Sequence, residues 1–424
     1  MLRLKNIKLF LAKNSFFQSV FTLMLGSGLA QVIIIATAPI LTRLYTPEHY
    51  GVFSIYLAIY SIATVLATGR YELAIVLPRS NDYAKHLVYL SIKIGLFLSV
   101  LSLVFIVLFG DSICKNLKVE FLGKWLYLIP LIIFLSAINQ SMLYWHNRTS
   151  NYAKIAKSRV FQSAVCAICQ LAYGIYQGRN ISESGLILSN VAGLIISTAY
   201  LVRRVRKDKL KIRITKVLVL AKKYKNFPLF NMLNALIDTF RFSSITLIVS
   251  IMYSNEVLGQ FYLAWRMSLL PINLITSSLS LPFYKRVSIA TPVEAYNLTL
   301  QTILRMIKLS FFIYLMMYIF SPLVFKVVFG EKWEMAGSIV SNLTPWFFCS
   351  FITSPLSNIY SCYNKQNIML IYSLIYAVIP LLFLITLQKV EFLLVISIIS
   401  VVMSLFLVSY LLSTIFFLKR QCGK

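Results

Sequence analysis

Residues 50–78 read YGVFSIYLAIYSIATVLATGRYELAIVLP, and from Tyr50 to Leu77 the only charges are Arg70 and Glu72. A bilayer core of about 30 Å is crossed by about 20 helical residues. The run therefore predicts a membrane-spanning helix with two charges close to its end. Similar apolar runs recur along the chain, which has 424 residues, 59% of them hydrophobic and 13% charged, and a mean hydropathy of +0.78. A soluble protein carries about 25% charged residues, so a water-soluble globule is excluded. The runs also lack the alternation over about ten residues that marks an outer-membrane barrel strand. The fold class predicted is an all-α polytopic membrane protein.

Reading the runs against their breakers gives twelve predicted spans: 15–41, 50–77, 86–109, 121–145, 160–177, 184–202, 228–251, 257–283, 303–329, 335–361, 369–387 and 391–418. Arg3, Lys5, Lys8 and Lys13 precede the first of them in the manner of a signal peptide, but the apolar run Phe16–Ile35 is longer than a signal h-region. It reads as a retained helix. With the N-terminus inside, the inner connections hold 29 Lys and Arg and the outer ones 7, an asymmetry that places both termini in the cytoplasm. The net charge of +28 is thus mostly an inner-face charge suited to the anionic cytoplasmic leaflet. Nucleic acid is not an expected partner, because no soluble basic module with aromatic platforms is present.

Cys166 and Cys169 form a C-x-x-C inside an apolar helix with no second pair nearby, and His49, His86 and His146 fall near helix ends. This is not a metal-site pattern. No cofactor is expected.

The longest connection holds RRVRKDKLKIRITK (203–216), with eight basic residues and one acid. It reads as a linker along the membrane surface and divides the chain into an N-terminal six-helix bundle (1–202), a basic cytoplasmic linker (203–227) and a C-terminal six-helix bundle (228–424). The two halves share spaced matches in order: YTPEHYGVF (45–53) with YSNEVLGQF (253–261), VLFGD (107–111) with VVFGE (327–331), and Asn147-Arg148 with Asn364-Lys365. Six spans is an even number, so the repeat is parallel, about an axis along the membrane normal. Two facing bundles enclosing a cleft is a transporter plan.

Lone charges fall inside the predicted spans: Arg70, Glu72, Lys93, Asp238, Arg241, Arg266 and Lys326. Each costs about 2.5–3.5 kcal/mol near a helix centre, so they must face water or one another. Lys326, close to its outer helix end, snorkels as a structural residue. Asp238 and Arg241 sit three apart on one face, where a structural ion pair and a functional role are both open. Arg266 has no acid one turn away. Arg70 and Glu72 cannot pair within their helix, because residues two apart point about 200° from one another at 3.6 residues per turn. Arg70, Arg266, Arg241 and Lys93 are the candidates for a cationic, anion-selecting cleft, since arginine holds phosphate oxygens bidentately and keeps its charge when desolvated. Glu72 and Asp238 are the coupling or structural residues. Tyr56, Tyr60, Asn231, Asn234 and Asn273 offer sugar-facing surface, although core packing explains such residues equally well.

The run Arg70-Tyr71-Glu72 followed by LAIVLP resembles the Wzx-type polysaccharide flippases of the multidrug/oligosaccharidyl-lipid/polysaccharide exporter superfamily. YKNFPLFNMLNAL (224–236) and GQFYLAWRMSLLPINLITSSLS (259–280) are similar to that family's seventh and eighth spans. The resemblance implies a flippase, not an enzyme, that moves an undecaprenyl-diphosphate-linked oligosaccharide, an O-antigen or capsule repeat unit, across the bacterial inner membrane by alternating access. Arg70 and Arg266 match positions where the family places charge. The implied partners are that lipid-linked oligosaccharide, membrane lipids, a polysaccharide polymerase and a chain-length regulator, with H+ or Na+ as conceivable coupling ions. Three rival readings remain. A cation-coupled drug exporter of the same fold would favour acids in its cleft, whereas here the intramembrane charges are five basic to two acidic. A membrane polymerase or glycosyltransferase would need a large loop with acids and histidine, and the outer connections are short. A flippase for another lipid-linked glycan is not separated by sequence.

Overall fold

The computed structural model describes residues 15–116, 123–203, 212–356, 359–363 and 365–422. Among these there is no strand. The long helices are α1 (Ser15–Leu44), α2 (Pro47–Leu66), α3 (Asn81–Asn116), α4 (Ile129–Arg148), α5 (Tyr152–Gln177), α6 (Ser184–Val202), α7 (Met232–Met252), α8 (Asn255–Ile289), α9 (Pro292–Phe329), α10 (Glu334–Thr353), α11 (Gln366–Thr386) and α12 (Phe392–Cys422). Ten of them are long and apolar enough to cross a membrane, α5 and α8 being the other two. The chain is a multi-pass membrane protein. The basic residues Arg3, Lys5, Lys8 and Lys13 and most of the 203–216 run lie outside the described residues.

The chain forms two compact units, Met1–Tyr45 with Val52–Ser243, and Thr46–Gly51 with Ser244–Lys424. In the first, α1 packs on α5, α5 on α6, α3 on α4 and α4 on α6. In the second, α9 packs on α10, α10 on α12, α8 on α10 and α11 on α12. The pairs α3–α4, α4–α6 and α5–α6 thus recur as α9–α10, α10–α12 and α11–α12, an internal match of the kind the sequence repeat predicts.

The strongest repeat segment also has a physical meaning. Thr46 caps α2, its hydroxyl accepting from the His49 backbone N–H at 3.4 Å while His49 Nδ1 accepts from Thr46 N at 3.3 Å. Ser254 caps α8 by accepting from Val257 N at 3.3 Å. A side-chain oxygen at this position satisfies an otherwise orphaned first-turn N–H. The matching glycines then allow a close approach: a Cβ on Gly259 would stand 1.7 Å from the Pro47 carbonyl oxygen, and one on Gly51 would stand 2.0 Å from that of Asn255. Small residues at such crossings let backbones touch where no hydrophobic force drives membrane helices together.

The second predicted span, 50–77, needs correction. The helix stops at Leu66, and residues 71–76 form a separate 3-10 turn. Gly69 and Arg70 adopt φ values of 56° and 61°, in the left-handed region, which no continuing α-helix passes through.

Candidate functional site

The turn after α2 carries the charges that the sequence singled out. Ala67 N still bonds Ala63 O at 3.1 Å, after which the ladder tightens: Gly69 N to Leu66 O at 3.0 Å, Tyr71 N to Thr68 O at 3.2 Å, Leu73 N to Arg70 O at 3.3 Å. Gly69 takes the left-handed conformation without penalty. Arg70 does so at a cost on the order of 1–3 kcal/mol, a strain that persists only where the surroundings over-determine it. Those surroundings are apolar. Ala74 and Ile75, fully buried, pack with Ala84 and Leu87 of α3 and with Leu220, and Val88, Leu90, Tyr144, Trp145, Tyr224 and Phe227 close around them.

The sharp turn brings together what a helix would hold apart. Arg70 Nη1 lies 3.6 Å from Glu72 Oε1, so the expectation that the two cannot pair is overturned, because the 200° separation applies only to a continuous helix. Glu72 is fully buried and its other oxygen accepts a hydrogen bond from the Thr68 hydroxyl. It lies beyond the end of the spanning helix, and burial pushes its carboxyl above the usual carboxylate range, opposed by the Thr68 and backbone hydrogen bonds and by Arg70. Arg70 is held at one corner only: its side chain is 26% exposed and its Nε has no hydrogen-bond partner among the described residues. A partly exposed guanidinium tethered to a buried carboxylate, with its Nε unbonded among the described residues, is suited to a phosphate-type anion.

A second cation, outside the predicted spans and not among the candidate site residues, finishes the turn. Arg148, at the end of α4, donates through Nη1 to the carbonyls of Ile75 and Val76 (both 3.3 Å), through Nη2 to Arg79 O (3.1 Å) and through Nε to Asn81 Oδ1 (3.1 Å). It satisfies the C-terminal carbonyls that a short helix leaves orphaned. With Val76, Asn81, Asn147 and Thr149 it lines an open cleft of about 580 Å³. The Asn147-Arg148 pair of the sequence repeat was the signal that could have drawn attention to it.

The remaining candidates are placed separately. Arg266 on α8 is half-buried and donates to the Tyr262 hydroxyl at 3.2 Å, its guanidinium 5.9 Å from that ring's centre; Tyr262 stands in turn 6.2 Å from the Tyr50 ring. Lys93 is exposed, its ammonium 5.5 Å from the Tyr89 ring. It lies four residues before the exposed Phe97, hence on the outward, apolar side of α3. Asp238 is exposed on α7, and the side chain of Arg241 lies outside the described residues. Lys326 pairs with Glu334 at 3.1 Å, in keeping with a structural role.

The fold defined by these helices is that of the MATE-type transporters. An inward-facing multidrug resistance MATE family transporter of the MOP superfamily superposes with a TM-score of 0.70 at 14% identity, covering 92% of this chain and 96% of that one. A MOP superfamily transporter from Pyrococcus furiosus gives 0.58 at 14% identity over 94% and 95%. An outward-facing MATE family transporter gives 0.54 at 13% over 95% of each. The chain belongs to the polysaccharide biosynthesis protein family, whose model matches residues 40–338. No curated protein sequence matches it.

Proposed function

We propose that this protein flips an undecaprenyl-diphosphate-linked oligosaccharide, an O-antigen or capsule repeat unit, from the inner to the outer leaflet of a bacterial inner membrane by alternating access. Membership of a polysaccharide biosynthesis family supports a glycan cargo, and the transporter fold supports movement rather than catalysis. In this reading all twelve long helices cross the bilayer, α5 and α8 included, since their 26 and 35 residues exceed the roughly 20 that a crossing takes. Both termini are cytoplasmic, and the halves 1–202 and 228–424 move as bundles joined by the basic linker.

The observation that carries the proposal is Arg70, strained, tethered to buried Glu72 and left with its Nε unbonded among the described residues. Arg70 and Arg266 hold the diphosphate, with Arg241 as a further cation, while the polyprenyl tail stays in lipid; Lys93, on the outward side of α3 beside Tyr89, is left out of the site. Shielding the headgroup from hydrocarbon removes the main barrier to its transfer. Glu72 and Asp238 are the groups through which H+ or Na+ would couple, and a polymerase and a chain-length regulator would receive the product.

The test is complementation of a flippase-null strain by wild type, Arg70→Ala and Arg266→Ala, with membrane levels measured for each. Restoration of surface polysaccharide by wild type but not by the well-inserted variants is expected. Full activity of both variants would refute the cationic mechanism, and failure of wild type with every lipid-linked glycan tried would refute the substrate class.

A further inference from the structure

Within the linker, Ile214–Lys223 forms a helix that the transport reading leaves without a role. One side is docked. Val217 and Leu220 are buried, Leu220 in the cluster with Ala84, Leu87 and Ile75. Three polar ties fix its position: Arg213 N donates to His86 Nε2 at 3.2 Å, Lys216 Nζ meets Asp82 Oδ2 at 2.6 Å, and the Tyr71 hydroxyl donates to Ala221 O at 3.1 Å.

The opposite side is uncovered. Ile214, Leu218 and Val219 are 70%, 64% and 66% exposed, and Lys222 and Lys223 beside them are also exposed. At 100° per residue, Lys222 falls between Leu218 and Val219. Three large exposed apolar side chains, with one ammonium group among them and another at their edge, do not suit water. They match the boundary of an anionic leaflet, where apolar groups enter the acyl region and lysines reach back to phosphates. Two further observations favour a lipid surface over a protein. The helix lies in sequence between two membrane-spanning helices, α6 and α7, and only three residues after it the apolar segment Phe227–Met252, long enough to cross a membrane, begins with Leu229 and Phe230 exposed, so the helix ends within a few residues of the bilayer.

We infer that Ile214–Lys223 is an interfacial helix that seats Ile214, Leu218 and Val219 among the acyl chains, holds anionic lipid phosphates with Lys222 and Lys223, and thereby anchors the Arg70–Glu72 turn at headgroup depth. The Tyr71–Ala221 hydrogen bond is the mechanical link, because Tyr71 stands between the two charged residues. The inference rests on the proposed function only for placing this helix on the inner side.

The test is hydrogen–deuterium exchange on the full chain in nanodiscs of phosphatidylcholine alone or with about 30% phosphatidylglycerol. Amides of 214–223 should exchange about tenfold more slowly in the anionic discs, and Lys222→Gln/Lys223→Gln should abolish the difference. Leu218→Ser should speed exchange in both discs. Equal exchange in the two discs for wild type, or a full lipid response in the double variant, would overturn the inference. So would protection that appears only on adding a cytoplasmic extract, which would point to a protein partner. No glycan enters the assay, so its outcome is separate from that of the complementation test.

Discussion

Arginine 70 is expected to matter for stability in proportion to what stands opposite it. Unit charges 3.6 Å apart attract by about 4–5 kcal/mol at an effective dielectric of 20, and the 26% exposure of Arg70 trims this to about 3 kcal/mol. The desolvation of Glu72 runs against that gain, and a buried pair is commonly worth little net while its half-broken form is costly. Arg70→Gln in the wild-type background should therefore cost about 3 kcal/mol, because it strands a buried carboxylate. The same change beside Glu72→Gln should cost less than about 1 kcal/mol, and Glu72→Gln alone should be close to neutral. Reversible unfolding in mixed micelles of the four proteins gives the cycle. A penalty for Arg70→Gln that is the same in both backgrounds, within about 0.5 kcal/mol, would show that the pair is not coupled and that the turn is held by its apolar cluster alone. pH supplies a second readout. Glu72's folded value is raised by burial, so its ionised form is penalised: the associated stability is present below the unfolded value and lost as pH rises through the folded one. Arg70→Gln removes an opposing influence and so should regain stability as pH falls from neutral.

Gly259→Ala should be strongly destabilising or fail to insert, because its Cβ would meet the Pro47 carbonyl at 1.7 Å, whereas Gly28→Ala, with nothing within 4 Å, should behave as wild type; melting temperature and membrane level read both. Arg148→Ala removes donors from the carbonyls of Ile75, Val76 and Arg79, and the expected result is faster amide exchange in residues 75–81 with little change elsewhere. Glu334→Gln breaks the Lys326 pair on an exposed surface, where such pairs contribute little, and its melting temperature should match that of wild type.

Much of the architecture is legible in hydropathy alone. The predicted spans 184–202 and 369–387 lie within a few residues of α6 and α11, because apolar composition and helix length are both set by the thickness of the bilayer core. Helix ends beyond the core are less readable. The predicted span 303–329 begins inside α9, which starts eleven residues earlier at Pro292, capped by Thr291 and Glu294 hydrogen-bonding each other's backbone N–H groups. Hydropathy ends where polar residues begin, but a capped helix continues through them into water.

The candidate site shows the opposite balance. The identities of Arg70 and Glu72 as misfits in an apolar run came from composition, whereas their pairing did not, since a periodicity argument assumes the helix it is applied to. Gly69 and Pro78 were the local signs of a break. Neither conveyed that Arg70 itself would sit in the left-handed region, because that conformation is imposed by the burial of Ala74 and Ile75 against α3 and by the bonds from Arg148. By itself, the sequence determined that this chain lives in a membrane, repeats itself and carries charges within its apolar runs, since those are properties of transfer free energy and spacing. Only the tertiary structure decided which charges meet: Arg70 and Glu72 are two residues apart but pair only because the turn between them is closed by α3, by Arg148 of α4 and by Leu220 of the linker helix, all distant in sequence.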